Sequence, residues 1–295
     1  MAIINSILNY RRFLKRKNYS PNTVKNYMNT LKHFVVWLSV PVEGVINKEI
    51  LQYIDFLWGK RLKPKTINCH LDSIRGFYEY LYNEEEIKIP NPVKRGYALK
   101  EAKPLPKHLK YEEVDKLFDV IKNLRDRAMF KLMLRCGLRV EEIANLTLGA
   151  IYLRRRLILV YDGKGGKDRV VYISDDAYEA LVEYLILRAP SRAKKVFLVE
   201  KGTYKGKPIS VRGIQKRIEY YARKAKLKLS SHHLRHTMAT QLLNADMDLV
   251  SIQDLLGHER IKTTERYTKV SNLKVRRDYF KAMEVMMQRS AQGIV

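Results

Sequence analysis

Residues 231–267 read SHHLRHTMATQLLNADMDLVSIQDLLGHERIKTTERY, and this stretch is the most informative part of the chain. Its apolar residues recur at helical spacing, which predicts helices over 232–244 and 248–256. The polar groups that stand out on and after these helices are His232, Arg235, His258 and Tyr267. Arginine and histidine donate hydrogen bonds to phosphate oxygens, and a tyrosine hydroxyl can form a covalent intermediate. The stretch therefore predicts a site that holds a phosphodiester while a phenolic oxygen attacks it.

A shorter stretch, CGLRVEEI at 136–143, lies well before it and contains Arg139. Gly137 is expected to end the preceding helix, because glycine favours the position just after a helix C-terminus. Glu142 follows Arg139 on the same helical face. We interpret Glu142 as an acid that orients Arg139 or a histidine, the alternative being an ordinary surface glutamate.

A β-hairpin is predicted between these two stretches. Apolar, β-branched runs at 157–161 and 170–173 flank the sequence DGKGGKDR at 162–169. Lys164 is interpreted as the functional lysine at the hairpin tip, and Lys167 is the nearby alternative. The turn lacks the G-x-x-x-x-G-K-[ST] spacing of a phosphate-binding loop, so a nucleotide site is disfavoured.

These segments, in this order, resemble the motifs of the tyrosine recombinase (phage integrase) family. GLRVEE resembles box I of that family, HHLRH followed by LGH and a tyrosine resembles box II, and Lys164 matches a lysine on the family's hairpin. The resemblance covers nearly the whole chain. It implies a catalytic set of Arg139, Lys164, His232, Arg235, His258 and Tyr267.

The resemblance also implies how these residues act on DNA. Tyr267 attacks the scissile phosphate to give a 3′-phosphotyrosyl link and a free 5′ hydroxyl, while the arginines clamp the phosphate. Lys164 protonates the leaving 5′ oxygen, and His232 can accept the phenolic proton. The main rival nucleophile is Tyr279, which belongs to an apolar stripe near the C-terminus and is interpreted as a packing residue. His233 and His236 are interpreted as packing or helix-supporting residues, and His108 has no assigned role.

The composition favours a polyanionic partner. The 295 residues carry a net charge of +26, which points to a nucleic acid, although a merely soluble basic protein is the alternative. The two cysteines, Cys69 and Cys136, show no paired spacing for zinc or a disulfide, and Cys136 is expected in the core. The apolar run at 3–8 precedes its basic residues, the reverse of a signal peptide, and no run is long enough to span a membrane. We expect a cytoplasmic protein.

The predicted fold is mainly α. We expect an N-terminal helical core-binding (SAM-like) bundle over 1–90, a Pro-containing linker over 91–108, and a mixed α/β catalytic domain with a small antiparallel sheet over 109–295. By the resemblance, the two domains clamp duplex DNA. A basic tail helix at about 271–290 carries a narrow apolar stripe. We expect the tail to dock on a neighbouring protomer, the alternative being that it folds back on its own domain.

The predicted function is site-specific recombination through a Holliday junction. The resemblance implies double-stranded DNA and a homotetramer, or a paired recombinase, on two sites. We expect no metal or nucleotide cofactor, because no carboxylate cluster is visible and the tyrosyl ester conserves the phosphodiester's energy. The helices begin almost at residue 1, so no extra arm-binding domain is expected, which favours a simple Xer-type recombinase or a plasmid or transposon resolvase. The alternatives are a type IB topoisomerase-like enzyme and a non-catalytic DNA-binding accessory protein.

Overall fold

The computed structural model describes residues 2–102, 106–161, 168–258 and 261–265, together with Tyr279 and Met283. The chain forms two compact units, Met1–Lys103 and Pro104–Val295. The first unit is helical, and its helices in chain order are α1 (Ala2–Arg16), α2 (Pro21–Trp37), α3 (Asn47–Gly59) and α4 (Pro64–Glu84).

Two helices of the first unit, α2 and α3, begin where a side chain caps the backbone. The Ser20 hydroxyl accepts a hydrogen bond from the Thr23 backbone N–H at 3.1 Å, and Pro21 occupies the first position of α2. In α3, the Glu49 carboxylate accepts from the Ile46 backbone N–H at 2.9 Å. These bonds satisfy donors that a helix N-terminus otherwise leaves without partners.

Aromatic side chains fill the core of the first unit. Phe34 packs edge-on against Tyr53 with ring centroids 5.0 Å apart, and both rings are buried. The buried hydroxyl of Tyr78 donates to the Val42 carbonyl at 2.7 Å, and that of Tyr53 bonds His70 Nδ1 at 2.9 Å. Because a buried hydroxyl without a partner costs roughly 1–3 kcal/mol, these bonds help to fix one packing arrangement.

The second unit combines helices with a small sheet. Its elements in chain order are α5 (Tyr111–Asp119), α6 (Leu124–Arg135), α7 (Val140–Asn145), β1 (Ile151–Tyr152), β2 (Leu157–Val160), β3 (Arg169–Tyr172), α8 (Asp175–Leu187), α9 (Val211–Lys224), α10 (Ser231–Asn244), α11 (Leu249–Leu256) and α12 (Ile261–Thr264). Helix α6 is central, since it packs against both α8 and α10. Its apolar residues are buried almost all round, as expected of a helix with neighbours on several sides.

The sheet is antiparallel with the order β1-β2-β3. Ile158 of β2 pairs with Val171 of β3, and both side chains are fully buried on the core face. The predicted hairpin is therefore present, with β1 added at its edge. The sequence analysis missed β1 because two residues are too short to show an alternating pattern.

A buried carboxylate ties α6 to α9. Asp126 is fully buried and accepts two hydrogen bonds from Arg125, at 3.0 and 2.7 Å. It also accepts from Arg217 at 2.6 Å and from the Tyr221 hydroxyl at 3.2 Å. Since a buried charge is tolerated only when it is paired and hydrogen-bonded, this network fixes the two helices against each other.

The mainly α fold with a small antiparallel sheet is confirmed, and so is the burial of Cys136, which raises the pKa of its thiol to about 12. Within the predicted linker, Val93 is buried with the core of the first unit, and Leu99 bonds Asn68. The domain boundaries predicted at 90 and 108 remain predictions. None of the described helices combines the length and apolar character that crossing a membrane requires.

Candidate active site

Arg139 stands immediately before α7 and is locked there by Glu142. The Glu142 carboxylate accepts from the Arg139 backbone N–H at 2.7 Å and from Arg139 Nη1 at 2.8 Å. The Glu142 carboxylate thus satisfies a backbone donor at the N-terminus of α7 and orients the Arg139 side chain at the same time. The interpretation of Glu142 as a residue that orients Arg139 therefore agrees with the observed contacts.

Glu142 also pairs with a residue that the sequence analysis did not assign. Both guanidinium nitrogens of Arg169, Nη1 and Nη2, donate to the two Glu142 oxygens at 2.8 Å each. Burial alone would raise the pKa of Glu142, but the hydrogen bonds and charge of Arg169, with those of Arg139, outweigh it and hold the pKa at about 2. Arg169 is the first residue of β3, so this pair connects the hairpin to α7.

The C-terminus of α11 is where three arginines meet. Arg169 Nε donates to the Leu255 carbonyl at 2.9 Å, and Arg139 Nη2 donates to the carbonyls of Leu256 and Gly257 at 3.2 Å each. Arg235 Nη2 also donates to the Leu256 carbonyl. Carbonyls at a helix C-terminus lack partners within the helix and carry partial negative charge, so they attract cations.

Gly257 allows this close approach. It ends α11 in the left-handed region with φ 58°, where glycine carries no steric penalty. A Cβ at this position would lie 2.9 Å from Arg169 Cδ. A larger residue would therefore push on an arginine that three hydrogen bonds hold in place.

Arg235 joins α10 to the turn before α7. Its Nη1 donates to the Gly137 carbonyl, and its side chain is only 5% exposed. Gly137 has φ 64°, and a Cβ there would meet Met238 Sδ at 2.6 Å. Arg235 and Arg139 are thus brought to the same helix end, although they lie far apart in the sequence.

His258 follows Gly257 directly and is held on both sides. Its backbone N–H donates to the Gln253 carbonyl at 3.1 Å, and its Nδ1 lies 2.9 Å from the Thr264 hydroxyl oxygen. Burial, and then the positive charges of Arg235 and Arg139, lower the pKa of His258 from 6.5 to about 3. The imidazole is therefore neutral at physiological pH, with one donor nitrogen and one acceptor nitrogen.

The structure describes only some of the other predicted site residues. His232 lies in the first turn of α10 and is exposed. Lys164, with its alternative Lys167, and Tyr267 lie outside the described residues. The rival nucleophile Tyr279 is helical and 58% exposed.

The described part of the site gathers three guanidinium groups at one helix end. Arg139 and Arg169 pair with Glu142, and Arg235 donates to the carbonyls of Gly137 and Leu256. Guanidinium groups with fixed orientations are well suited to hold an anion such as a phosphate. The sequence signal for Arg169 was weak. It closes the string DGKGGKDR, just before the predicted apolar run at 170–173, so it was interpreted as part of the turn.

Family models match both units of the chain. The model described as "Phage integrase family" matches residues 107–274, which include both predicted boxes. The model described as "Phage integrase, N-terminal SAM-like domain" matches residues 7–87.

Curated tyrosine recombinases resemble the chain in sequence, and a solved recombinase structure shares its fold. Tyrosine recombinase XerC of Halalkalibacterium halodurans is 34% identical over 279 residues, which cover 89% of this chain and 91% of that protein. Tyrosine recombinase XerC of Bacillus subtilis is 34% identical over 281 residues, covering 89% and 90%. Among solved structures, XerH site-specific recombinase bound to palindromic difH substrate superposes with a TM-score of 0.73 at 22% identity, covering 89% of this chain and 80% of that one. At that identity the superposition bears on the fold alone.

Proposed function

The chain belongs to the phage integrase family, and from this we propose that it is a tyrosine-type site-specific recombinase with its phosphate site at the C-terminus of α11. One observation carries the placement of the site. Arg139, Arg235 and His258 come from three separate segments, and all three meet at the end of this one helix.

The arginines are assigned to the scissile phosphate. Phosphoryl transfer requires that charge on the non-bridging oxygens be neutralised, and a guanidinium does this with a fixed, planar set of donors. Arg139 and Arg235 are already oriented by Glu142 and by backbone carbonyls, so little reorganisation is needed when DNA arrives. Arg169 is assigned as a positioning residue, because its contacts are to Glu142 and to α11.

The histidines are assigned to hydrogen bonding and proton transfer. His258 is neutral, so when Nδ1 accepts from the Thr264 hydroxyl, Nε2 carries the proton and can donate to a phosphate oxygen. His232 is exposed at the start of α10 and is assigned as the base for the phenolic proton. Lys164 is assigned as the acid that protonates the leaving 5′ oxygen.

Tyr267 is assigned as the nucleophile. Its attack forms a bond from the phenolic oxygen to phosphorus and breaks the bond to the 5′ oxygen, which leaves with a proton. The freed 5′ hydroxyl then attacks the phosphotyrosyl bond on a partner duplex and releases the tyrosine. Two such rounds pass through a Holliday junction. We assign double-stranded DNA as substrate and a homotetramer on two sites as the active assembly.

A pair of assays tests this function. The full-length protein is incubated with a plasmid that carries two copies of a site recovered by sequencing covalently trapped DNA. We expect recombinant products from that plasmid. Relaxation of supercoils without recombinants would instead indicate a topoisomerase, and binding without any strand breakage would indicate an accessory protein.

A further inference from the structure

A basic cavity lies next to the start of α10, outside the arginine cluster. Its volume is about 660 Å³, within the usual range of ligand pockets of roughly 300–1,000 Å³. The segment 106–109, the loop after α9 and the first turn of α10 form its walls. Its charged and titratable lining residues are Lys107, His108, Glu113, Lys226, Lys228 and His233.

Hydrogen bonds hold the walls of this cavity in place. The Leu109 backbone N–H donates to the Thr237 hydroxyl oxygen at 2.8 Å, and that hydroxyl donates to the His233 carbonyl at 2.8 Å. Both Leu109 and Thr237 are buried. The segment before α5 is therefore anchored to α10, so the cavity is a fixed feature of the second unit.

The lining carries more positive than negative charge. Three lysines face one acid, and that acid, Glu113, already accepts from the Lys110 backbone N–H at 2.8 Å. The imidazole of His233 bonds through Nδ1, which accepts from the Ser230 backbone N–H at 3.3 Å in one tautomer and donates to the Lys228 carbonyl at 3.2 Å in the other. In the tautomer that accepts from Ser230, Nε2 carries the proton and can donate to a ligand oxygen. The N-terminus of α10 adds a partial positive charge.

Lys226 has a left-handed backbone conformation, which is unfavourable for a residue with a Cβ atom. Its φ is 56°, in the left-handed region that glycine and asparagine tolerate best. It follows the end of α9, where glycine is the usual residue. A lysine here keeps a charge at the cavity at some cost in backbone energy, as Arg61 and Glu86 do at other loops of the chain.

We propose that this cavity holds a DNA backbone phosphate that flanks the scissile one. The proposal rests on the recombinase function above and adds a second anchoring point for the same duplex. His233 and His232, the base assigned to the phenolic proton, both lie in the first turn of α10, so a duplex whose scissile phosphate is held by the arginine cluster passes close to the cavity. Contacts to phosphates outside the reacting centre fix register and orientation without reading sequence.

The test uses a variant that removes charge while relieving strain. Lys226→Asn is combined with Lys228→Gln in the full-length protein, and binding to a duplex of arbitrary sequence is measured across a salt series. Each lost phosphate contact lowers the slope of log affinity against log salt by roughly 0.9. We expect the slope to fall by about 1 to 2, while the melting temperature stays level or rises, because asparagine suits positive φ.

A matched control removes the same number of lysines elsewhere. Lys201 and Lys205 are exposed in the loop before α9 and do not line the cavity. The double variant Lys201→Gln with Lys205→Gln should therefore change the salt slope less than the cavity variant does. An unchanged slope in the cavity variant, or an equal fall in the control, would overturn the proposal. Covalent adduct formation by the original protein on a nicked substrate is scored separately, so failure of the recombinase function is distinguished from failure of the cavity.

Discussion

The guanidinium of Arg169 joins three segments of the candidate site, since it pairs with Glu142 and also donates to the carbonyl of Leu255. Lysine keeps the charge but cannot make this bidentate contact. We expect Arg169→Lys to lower the free energy of unfolding by roughly 1–3 kcal/mol. Because the site shifts, we also expect a fall in the DNA cleavage rate on the order of tenfold to a hundredfold. Urea unfolding and single-turnover cleavage at saturating DNA measure the two effects.

Arg188 offers a matched control for that substitution. Its guanidinium donates to the carbonyls of Val196, Ala193 and Lys195, which are different partners from those of the arginine cluster. Arg188→Lys should lower stability as well, but it should leave the cleavage rate unchanged well below the melting temperature. Equal cleavage by Arg169→Lys and the original protein would show that Arg169 does not position the site.

The carboxylate of Glu142 makes stability depend on pH in a defined window. Its pKa is about 2 in the folded protein against an ordinary 4.5, so the folded state favours the ionised form. The resulting stabilisation, roughly 3 kcal/mol, is fully present above pH 4.5 and is lost as the pH falls from 4.5 towards 2. We expect the stability difference between the original protein and Glu142→Gln to shrink over that window in urea unfolding.

Glu113 provides the comparison for this effect. It caps the Lys110 backbone N–H in the same way but bonds no arginine among the described residues. Glu113→Gln should therefore cost less stability than Glu142→Gln. A stability difference for Glu142→Gln that stays constant from neutral pH to pH 3 would contradict the assigned role of its ion pairs.

The C-terminal cap of α11 determines the position of His258, and Gly257 allows the chain to adopt that cap. With φ 58° and a Cβ position 2.9 Å from Arg169 Cδ, Gly257→Ala strains the backbone and displaces a side chain held by three hydrogen bonds. We expect a loss of roughly 1–3 kcal/mol in stability, and slower cleavage. Gly149→Ala is the control, because a Cβ there meets nothing within 4 Å and its φ is not in the left-handed region. Equal stability and equal cleavage rates in the two variants would show that the left-handed conformation of Gly257 is not required at the end of α11.

Most elements could be predicted from periodicity because each depends on local spacing. The stripe Ile67, Leu71, Ile74 and Tyr78 is buried along α4. The apolar run at 157–161 contains β2, and the run at 170–173 overlaps β3, which begins one residue earlier. The contacts of the site could not be predicted in this way. The Arg169–Glu142 pair and the arginine bonds to the end of α11 join segments that are distant in the sequence. Local sequence patterns do not show which carbonyl an arginine side chain will bind. The order of the motifs predicted the site residues, whereas the hydrogen-bond partners of those residues are visible only in the structure.

At the scale of the whole molecule, assembly is proposed to depend on the tail after residue 271. Tyr279 and Met283 are helical there, and the Tyr279 side chain is 58% exposed. We expect a chain truncated at Asn272 to bind a single DNA site as a monomer but to fail in paired-site synapsis, because the apolar stripe that docks on a neighbour is gone. Gel-shift assays on single sites and on Holliday junction DNA measure both steps. Tetramers formed as readily by the truncated chain would mean that the tail folds back on its own protomer.

We expect Tyr267 to form the covalent link to DNA at a site built around the end of α11. The most direct measurement is adduct formation on a nicked suicide substrate, with Tyr267→Phe compared with Tyr279→Phe and the original protein. We expect Tyr267→Phe to bind DNA with unchanged affinity and form no adduct, while Tyr279→Phe forms the adduct normally. A persistent adduct in Tyr267→Phe, or its loss in Tyr279→Phe alone, would contradict the assignment.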